Sequence, residues 1–236
     1  MTDSPTQAKV GGYVLAGGHS SRMGTVKALL QLGGKPLIEH AVTKLRRICA
    51  DVHILSSNSE LAPYAPLVRD IHPNCGPLGG IEAALLHSPY DWNLFLAVDM
   101  PFLPTAYINL WAIGWPVASM LSGSGPGIRM HTANGRPQPG FCLIHKEALP
   151  YISLAIRRGE FKLMQVFEEV GRELPSGLWN TPAPGLETGS IEGYPNSRSW
   201  EALTEAQQAA RPLWFANLNT PEDFALAETH VDALDT

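Results

Sequence analysis

Short apolar segments alternate with amphipathic helical patterns along the first half of the chain, and this alternation constrains the fold most strongly. The segments that read as strands are KVGGYVLA (9–16), DVHILSS (51–57), APLVRD (65–70) and WNLFLAVDM (92–100). The helical patterns are KPLIEHAVTKLRRICA (35–50) and GPLGGIEAALLHS (76–88). Strands that alternate with helices form parallel sheets through crossover connections. The sequence therefore predicts an α/β fold: a three-layer, mostly parallel twisted sheet with helices on both faces.

The second half of the chain has a less regular pattern. Strands are predicted at PVASMLSG (116–123) and QPGFCLIH (138–145), followed by helices at KEALPYISLAIRRG (146–159) and EFKLMQVFEEVG (160–171). Residues 175–211 are rich in Pro, Gly, Ser and Thr, which favours a loop-rich insertion. PLWFANLN (212–219) then predicts a short strand, and Thr220 and Pro221 predict the start of a helix. We expect one domain over residues 1–236, with a flexible N-terminus at 1–10.

Composition excludes several classes of protein. The formal net charge of -5 argues against a general nucleic-acid binder, which would present a basic face. The three cysteines have neither disulfide-framework nor zinc-site spacing. The N-terminus is polar, and the longest apolar stretch is interrupted by Asn109, Gly114 and Pro116, so no membrane span is expected. We expect a soluble, cytoplasmic protein without nucleic-acid or membrane partners.

The loop after the first predicted strand has the composition of a phosphate-binding loop. Gly17 and Gly18 allow close approach of backbone amides to an anion. Arg22 and Lys27 follow within ten residues and would add positive charge. The spacing matches neither the P-loop nor the dinucleotide-binding motif. The alternative is an ordinary strand-to-helix turn with two solvated cations.

The most apolar predicted strand ends at Asp99 and Met100, and Pro101 follows directly. Ligands of open α/β sheets bind beyond the carboxyl ends of the strands. Mg²⁺ is commonly held there by one or two carboxylates together with substrate phosphates. We therefore predict Asp99 as a metal ligand, with a helix N-cap as the alternative.

Further candidates lie at other loop positions. Asp70 closes another predicted strand, and Gly76 and Gly79 follow in a loop that permits close backbone approach. The alternative for this stretch is a plain loop before a helix. Asn217 and Asn219 are alternate residues of an extended segment and would face the same side. For these two the alternative is a turn-forming role.

Four motifs occur together in one order: LAGGHSSRMGTVK, GPLGGI, DMPFL and NLNTPED. In this order they resemble molybdenum cofactor guanylyltransferase of the MobA type, within the nucleotidyltransferase superfamily. The resemblance covers about residues 13–224 and implies a Rossmann-like nucleotidyltransferase fold. It implies transfer of GMP from GTP to molybdenum-molybdopterin with release of pyrophosphate and with Mg²⁺ as cofactor. Proteins of molybdenum cofactor biosynthesis, or acceptors of the cofactor, are the protein partners it suggests.

The resemblance also implies roles for individual residues. Lys27 would meet the phosphates and Asp99 would hold the metal. The charge of Arg22 in the glycine loop makes it a further candidate catalytic cation. Asp70 would contact the guanosine end of GTP, and Asn217 and Asn219 would lie on the acceptor side, near the metal and the pterin. The expected nucleotide-binding residues are Leu15, Ala16, Gly17, Gly18, Lys27, Asn58, Asp70, Gly76, Gly79 and Asp99.

Two alternatives remain open from the sequence. The first is a related enzyme that transfers a cytidylyl group, or that uses a sugar or alcohol phosphate as acceptor. The second is a nucleotide-binding regulator without catalysis, which is motivated by Val26, because the family commonly has aspartate before the lysine.

Overall fold

The computed structural model describes residues 10–17, 26–112, 125–133, 135–175, 177–182 and 203–235. Its strands are β1 Val10–Leu15, β2 Gln31–Leu32, β3 Lys35–Pro36, β4 Asp51–Leu55, β5 Leu67–Val68, β6 Trp92–Ala97, β7 Ile128–Ala133, β8 Arg136–His145 and β9 Leu178–Pro182. The helices are α1 Leu37–Arg46, α2 Pro77–His87, α3 at 105–112, α4 Leu149–Arg157, α5 Leu163–Glu173, α6 Glu205–Ala209 and α7 Pro221–Glu228.

Within these residues the main sheet has seven strands in the order β5-β4-β1-β6-β8-β7-β9. The pairs β5–β4, β4–β1, β1–β6 and β7–β9 are parallel, whereas β8 pairs antiparallel with both β6 and β7. Six strands therefore run in one direction and β8 runs against them. The predicted mostly parallel sheet is confirmed.

Helices cover both faces of the sheet because its strands are apolar on both sides. In β1, Tyr13 belongs to the core that packs against α2, α4 and α5, and Val14 belongs to the core against α1, α3, α6 and α7. In β6, Phe95 belongs to the same core as Tyr13, and Leu96 belongs to the same core as Val14. The three-layer arrangement is thus confirmed, with one apolar core on each face.

The structure differs from the predicted pattern in several segments. β7 and α3 were not anticipated, because neither shows a clear period in the sequence. The described parts of the 175–211 stretch contain β9 and α6, so that stretch is not loop throughout. No strand occurs among residues 203–235, so the short strand predicted at PLWFANLN does not form. The strand predicted at 116–123 and the N-terminal residues 1–9 lie outside the described residues.

In the part of the chain that the structure describes, no helix is long and apolar enough to cross a membrane.

Candidate nucleotide site at the carboxyl edge of the sheet

The carboxyl ends of β4, β1 and β6 lie side by side, since Leu15 is in register with both Leu55 and Ala97. The loops that leave these strands are joined by backbone hydrogen bonds. The Ala16 amide donates to the Leu55 carbonyl at 3.3 Å, and the Val98 amide donates to the Leu15 carbonyl at 3.1 Å. The predicted site residues Leu15, Ala16 and Gly17 are therefore at this edge, with Gly17 exposed. Gly18 and Arg22 lie outside the described residues.

Three of the predicted residues meet in one polar contact. Nζ of Lys27, which opens a short 3₁₀ helix, donates to Oδ2 of Asp99 in the turn after β6. The same ammonium donates to Oδ1 of Asn219 at 2.7 Å. The side chains of Lys27 and Asp99 are 20% and 18% exposed, so this ion pair is only partly screened by water. The apolar strand β6 ends at Ala97, two residues before Asp99 and earlier than predicted, and this places Asp99 in the turn.

Asn219 is held in place by the start of α7. Its backbone amide and that of Thr220 both donate to Oδ2 of Asp223 at 2.8 Å. The Thr220 hydroxyl accepts from the Asp223 amide at 3.2 Å, which completes a capping box. These backbone hydrogen bonds from Asn219 and Thr220 hold the pKa of Asp223 below its usual value. The predicted N-cap at Thr220 is confirmed, and it also orients a site residue.

The segment before α7 is also tied to the turn that carries Asp99. The Leu218 amide donates to the Asp99 carbonyl at 3.0 Å. Nδ2 of Asn219 donates to the Asn217 carbonyl at 3.2 Å, whereas the Asn217 side chain is exposed. The acceptor-side role predicted for Asn217 stays a prediction.

Asp70 forms a second polar position, at the first turn of α2. A Cβ placed on Gly79 would lie 3.4 Å from Oδ2 of Asp70 and 3.1 Å from the His72 carbonyl. Gly79 lies inside α2 and not in the loop predicted for it, because the helix already begins at Pro77. A larger residue at Gly79 would push the loop that carries Asp70 and His72 away from α2. Gly76, the N-cap of α2, has a φ of 59°, a backbone conformation that glycine adopts without strain. Burial raises the pKa of Asp70, because it disfavours the charged carboxylate.

Asn58 has a local structural role. Its Oδ1 accepts from the Glu60 amide at 3.0 Å, and its Nδ2 donates to the Glu60 carboxylate at 3.1 Å. It therefore caps the 3₁₀ helix Ser59–Leu61 that follows β4. The nucleotide contact predicted for Asn58 stays a prediction.

Comparison with known proteins identifies the family. The sequence profile of the MobA-like NTP transferase domain matches residues 12–173. The chain belongs to this family of nucleotidyltransferases. The molybdenum cofactor guanylyltransferase of Vibrio cholerae is 34% identical over 66% of this chain and 75% of its own length. That of Vibrio campbellii is 30% identical over 94% of this chain and 95% of its own length.

The fold of this MobA-like transferase agrees with a solved structure. It resembles the molybdopterin-guanine dinucleotide biosynthesis protein A from Archaeoglobus fulgidus with a TM-score of 0.66, at 21% identity. The match covers 95% of this chain and 100% of that chain. The Rossmann-like nucleotidyltransferase fold expected from the motifs is therefore confirmed.

The donor set of the transferase suits a hard cation that completes its shell with substrate oxygens. Oδ2 of Asp99 and Oδ1 of Asn219 already converge on one cationic centre, the Lys27 ammonium. Among the described residues no group of three or more His, Cys, Asp or Glu side chains could enclose a metal alone. One carboxylate with substrate phosphates is a typical set of Mg²⁺ ligands. The residues present therefore fit the magnesium ion expected from the sequence.

Sequence reasoning missed the anchoring role of Asp223 in this transferase. The signal was present in the spacing of Thr220 and Asp223, which is that of a capping box. Asp223 lies in the first turn of α7, where its charge is favourable near the positive end of the helix. Its bonds to two consecutive amides show that it also fixes the backbone of Asn219.

Proposed function

We propose that this protein transfers GMP from GTP to molybdenum-molybdopterin, giving the guanine dinucleotide cofactor and pyrophosphate. The single observation that carries the proposal is the contact of Lys27 with Asp99 and Asn219 at the carboxyl edge of the sheet. This contact brings together a cation that could bind phosphate, Lys27, and two oxygen groups that could bind Mg²⁺, Asp99 and Asn219. It lies at the edge of the sheet where α/β proteins bind nucleotides. The names of the two Vibrio relatives support guanosine as the nucleoside and the molybdenum cofactor as the acceptor.

The reaction makes one phosphorus–oxygen bond and breaks another. An oxygen of the acceptor's phosphate attacks the α-phosphorus of GTP, and the bond to the β-phosphate oxygen breaks, so pyrophosphate carries the electron pair away. The attacking phosphate is an anion at neutral pH, so no side chain has to act as a general base. The main obstacle is repulsion between anions, which the site reduces by positioning and by positive charge.

The residues of this chain have distinct tasks in that reaction. Asp99 and Asn219 would hold Mg²⁺, which when bound neutralises phosphate charge and orients the phosphate oxygens. Lys27 binds phosphate oxygens as a point charge, and Arg22 is proposed to add a second cation. The backbone amides after Leu15, with Gly17 and Gly18, leave room for close approach of the triphosphate.

Asp70 is proposed to accept hydrogen bonds from the guanosine end of GTP. Its carboxylate lies against Gly79 and Gly80 and has a raised pKa because of burial. A ligand N–H or O–H group would add hydrogen bonds to a carboxylate whose charged form partial burial disfavours. Asn58, Gly76, Gly79 and Asn217 complete the proposed surroundings of the substrates.

The decisive experiment is pyrophosphate release by purified protein with Mg²⁺. GTP, CTP and ATP are compared, each with and without molybdopterin loaded with molybdate. We expect release with GTP only, and only when the molybdenum-loaded pterin is present. Release with CTP would identify a cytidylyltransferase. Tight GTP binding without release would support the regulator that the valine at position 26 suggested.

The remaining expectations are part of the same proposal. Proteins that supply molybdenum-molybdopterin or receive the product would be the protein partners, and the location would be the cytoplasm. Co-purification with such proteins and fractionation of cells test these two points.

A further inference from the structure

A buried ion pair lies under the turn that carries Asp99. Lys44 is on α1, and its side chain is only 1% exposed. Its ammonium donates to the carbonyl of Pro101 and, at 2.9 Å, to that of Leu103. It also lies 2.9 Å from Oδ1 of Asp235. The ammonium thus has two backbone carbonyls as hydrogen-bond acceptors and a carboxylate oxygen within ion-pair distance.

Asp235 binds the other end of the same turn, at the start of α3. Its Oδ2 accepts from the Thr105 amide, the first residue of α3, at 2.6 Å. Its backbone carbonyl accepts from the Arg47 guanidinium, which lies just after α1. Lys44 and Asp235 therefore hold residues 101–105 against α1 and the end of the described chain.

A buried ion pair such as Lys44–Asp235 contributes little net stability to a fold. Removing two charges from water costs several kcal/mol per ion, and apolar residues of the same volume often stabilise a protein as well or better. Both carbonyls that Lys44 binds belong to the single turn between β6 and α3. The pair therefore fixes one particular backbone path, which uniform apolar packing would not specify.

That path determines where Asp99 lies. The Met100 amide donates to the Ala97 carbonyl at 3.3 Å, and the Asp99 carbonyl accepts from Leu218. Pro101, two residues after Asp99, is the first of the carbonyls bound by Lys44. Displacement of a catalytic group by about 1 Å can cost about 10²-fold in rate.

We propose that Lys44 and Asp235 are positioning residues that hold the turn carrying Asp99 in the geometry required for transfer. This inference rests on the proposed function for its catalytic consequence, but the effect on the turn itself does not depend on it.

The test uses Lys44→Met, Asp235→Asn and the double variant Lys44→Met/Asp235→Asn in the full chain. Methionine keeps the apolar stem of the lysine, and asparagine keeps an acceptor for the Thr105 amide. The matched control is Lys146→Met/Asp91→Asn, because this pair joins the end of β8 to the start of β6, with side chains 48% and 59% exposed. For each variant we would measure kcat and KM for GTP, the thermal midpoint, and hydrogen exchange of the amides in 98–105.

We expect Lys44→Met to lower the thermal midpoint most, because it leaves Asp235 buried without its cation. The double variant should regain part of that stability but keep a kcat reduced by about 10-fold or more, with KM for GTP near the wild-type value. Exchange at 98–105 should be faster in both, and the exposed control pair should alter neither kcat nor exchange. Asp235→Asn is the mildest of these changes and replaces Lys44→Met as the test variant if Lys44→Met does not fold. We expect it to show the same effects on kcat, exchange and thermal midpoint to a smaller degree.

Two results would overturn the inference. The first is a double variant whose kcat returns to the wild-type value together with its stability. The second is unchanged exchange of residues 98–105 in folded variants. If the wild-type protein itself transfers no GMP, the proposed function fails, and hydrogen exchange alone then decides whether Lys44 and Asp235 fix the turn.

Discussion

The two aspartates of the site lie in contrasting surroundings. Asp99 contacts the Lys27 ammonium and belongs to a network that reaches Asn219 and α7. Asp70 lies against two glycines of α2, and burial raises the pKa of its carboxyl group. A carboxylate that already contacts a cation presents its oxygens where Mg²⁺ is proposed to bind. A carboxylate that burial destabilises gains most from a ligand that donates hydrogen bonds to it.

This difference predicts that Asp99 affects the chemical step and that Asp70 affects binding of the nucleoside. Loss of Asp99 or Lys27 should reduce the rate of transfer, because both are proposed to act on the phosphates where charge shifts in the reaction. Loss of Asp70 should weaken binding of the nucleoside and leave the reacting phosphates in place. Steady-state kinetics distinguishes the two effects as changes in kcat and in KM.

Asp99→Ala should have the largest effect, a fall in kcat/KM of about 10³-fold or more, because it removes the carboxylate that is proposed to hold Mg²⁺. Pyrophosphate release over a series of Mg²⁺ concentrations measures it. Asp91→Ala, before the start of the same strand, is the matched control and should keep near-normal turnover. A folded Asp99→Ala protein with near-normal Mg²⁺-dependent turnover would show that Asp99 is not the metal ligand.

Lys27→Met should lower kcat by about 10²-fold, the usual cost of losing one group that stabilises developing charge. The methionine keeps the length of the side chain but cannot bind phosphate. Single-turnover measurements with saturating GTP and pterin would check that the chemical step itself is slowed. Lys35→Met, at a lysine exposed at β3, is the control. An unchanged single-turnover rate would remove Lys27 from the chemistry.

Asp70→Asn should raise KM for GTP by about 10-fold, because losing one polar partner of a ligand costs roughly 1.4 kcal/mol or more. Its kcat should change little. The guanine-free competitor pyrophosphate should inhibit variant and wild type equally, since it engages the phosphate region alone. A fall in kcat with normal KM would place Asp70 among the groups that act on the phosphates.

The same substitution has a predicted effect on stability. The pKa of Asp70 is higher in the folded protein than in the unfolded chain, so ionisation of this carboxyl group lowers the free energy of unfolding. Below the unfolded pKa the group is protonated in both states and this loss is absent. The loss is complete once the pH has risen through the folded pKa. Asp70→Asn should therefore be more stable than wild type at neutral pH and lose this advantage in acid. Thermal unfolding between pH 3 and pH 8 would test the sign, and a destabilised variant at neutral pH would contradict it.

The sequence predicted the half of the site that lies near the parallel strands. An apolar strand followed by Asp99 and a glycine loop followed by Lys27 both carry local signals, and both residues lie where the pattern places them. The contact of Lys27 with Asn219 joins residues 192 positions apart, and no local pattern specifies such a pair. Lys44 falls on an amphipathic helix, where a lysine predicts exposure, so its burial depends on the tertiary structure alone. α3 and β7 were missed because packing, not periodicity, defines them.

Thr220→Ala should have the smallest effect and should show how far the Asp99 network depends on α7. Loss of an N-cap costs about 1 kcal/mol, and here it also loosens the backbone that presents Asn219. We expect a small drop in the thermal midpoint and a fall in kcat of a few-fold, with KM for GTP unchanged because Asp70 is untouched. Thr204→Ala, which removes the cap of α6 in the same kind of capping box, is the control for stability alone. Equal activity of the two variants would mean that Asn219 keeps its position without the cap, so that Lys27 and the Lys44–Asp235 pair suffice to fix Asp99.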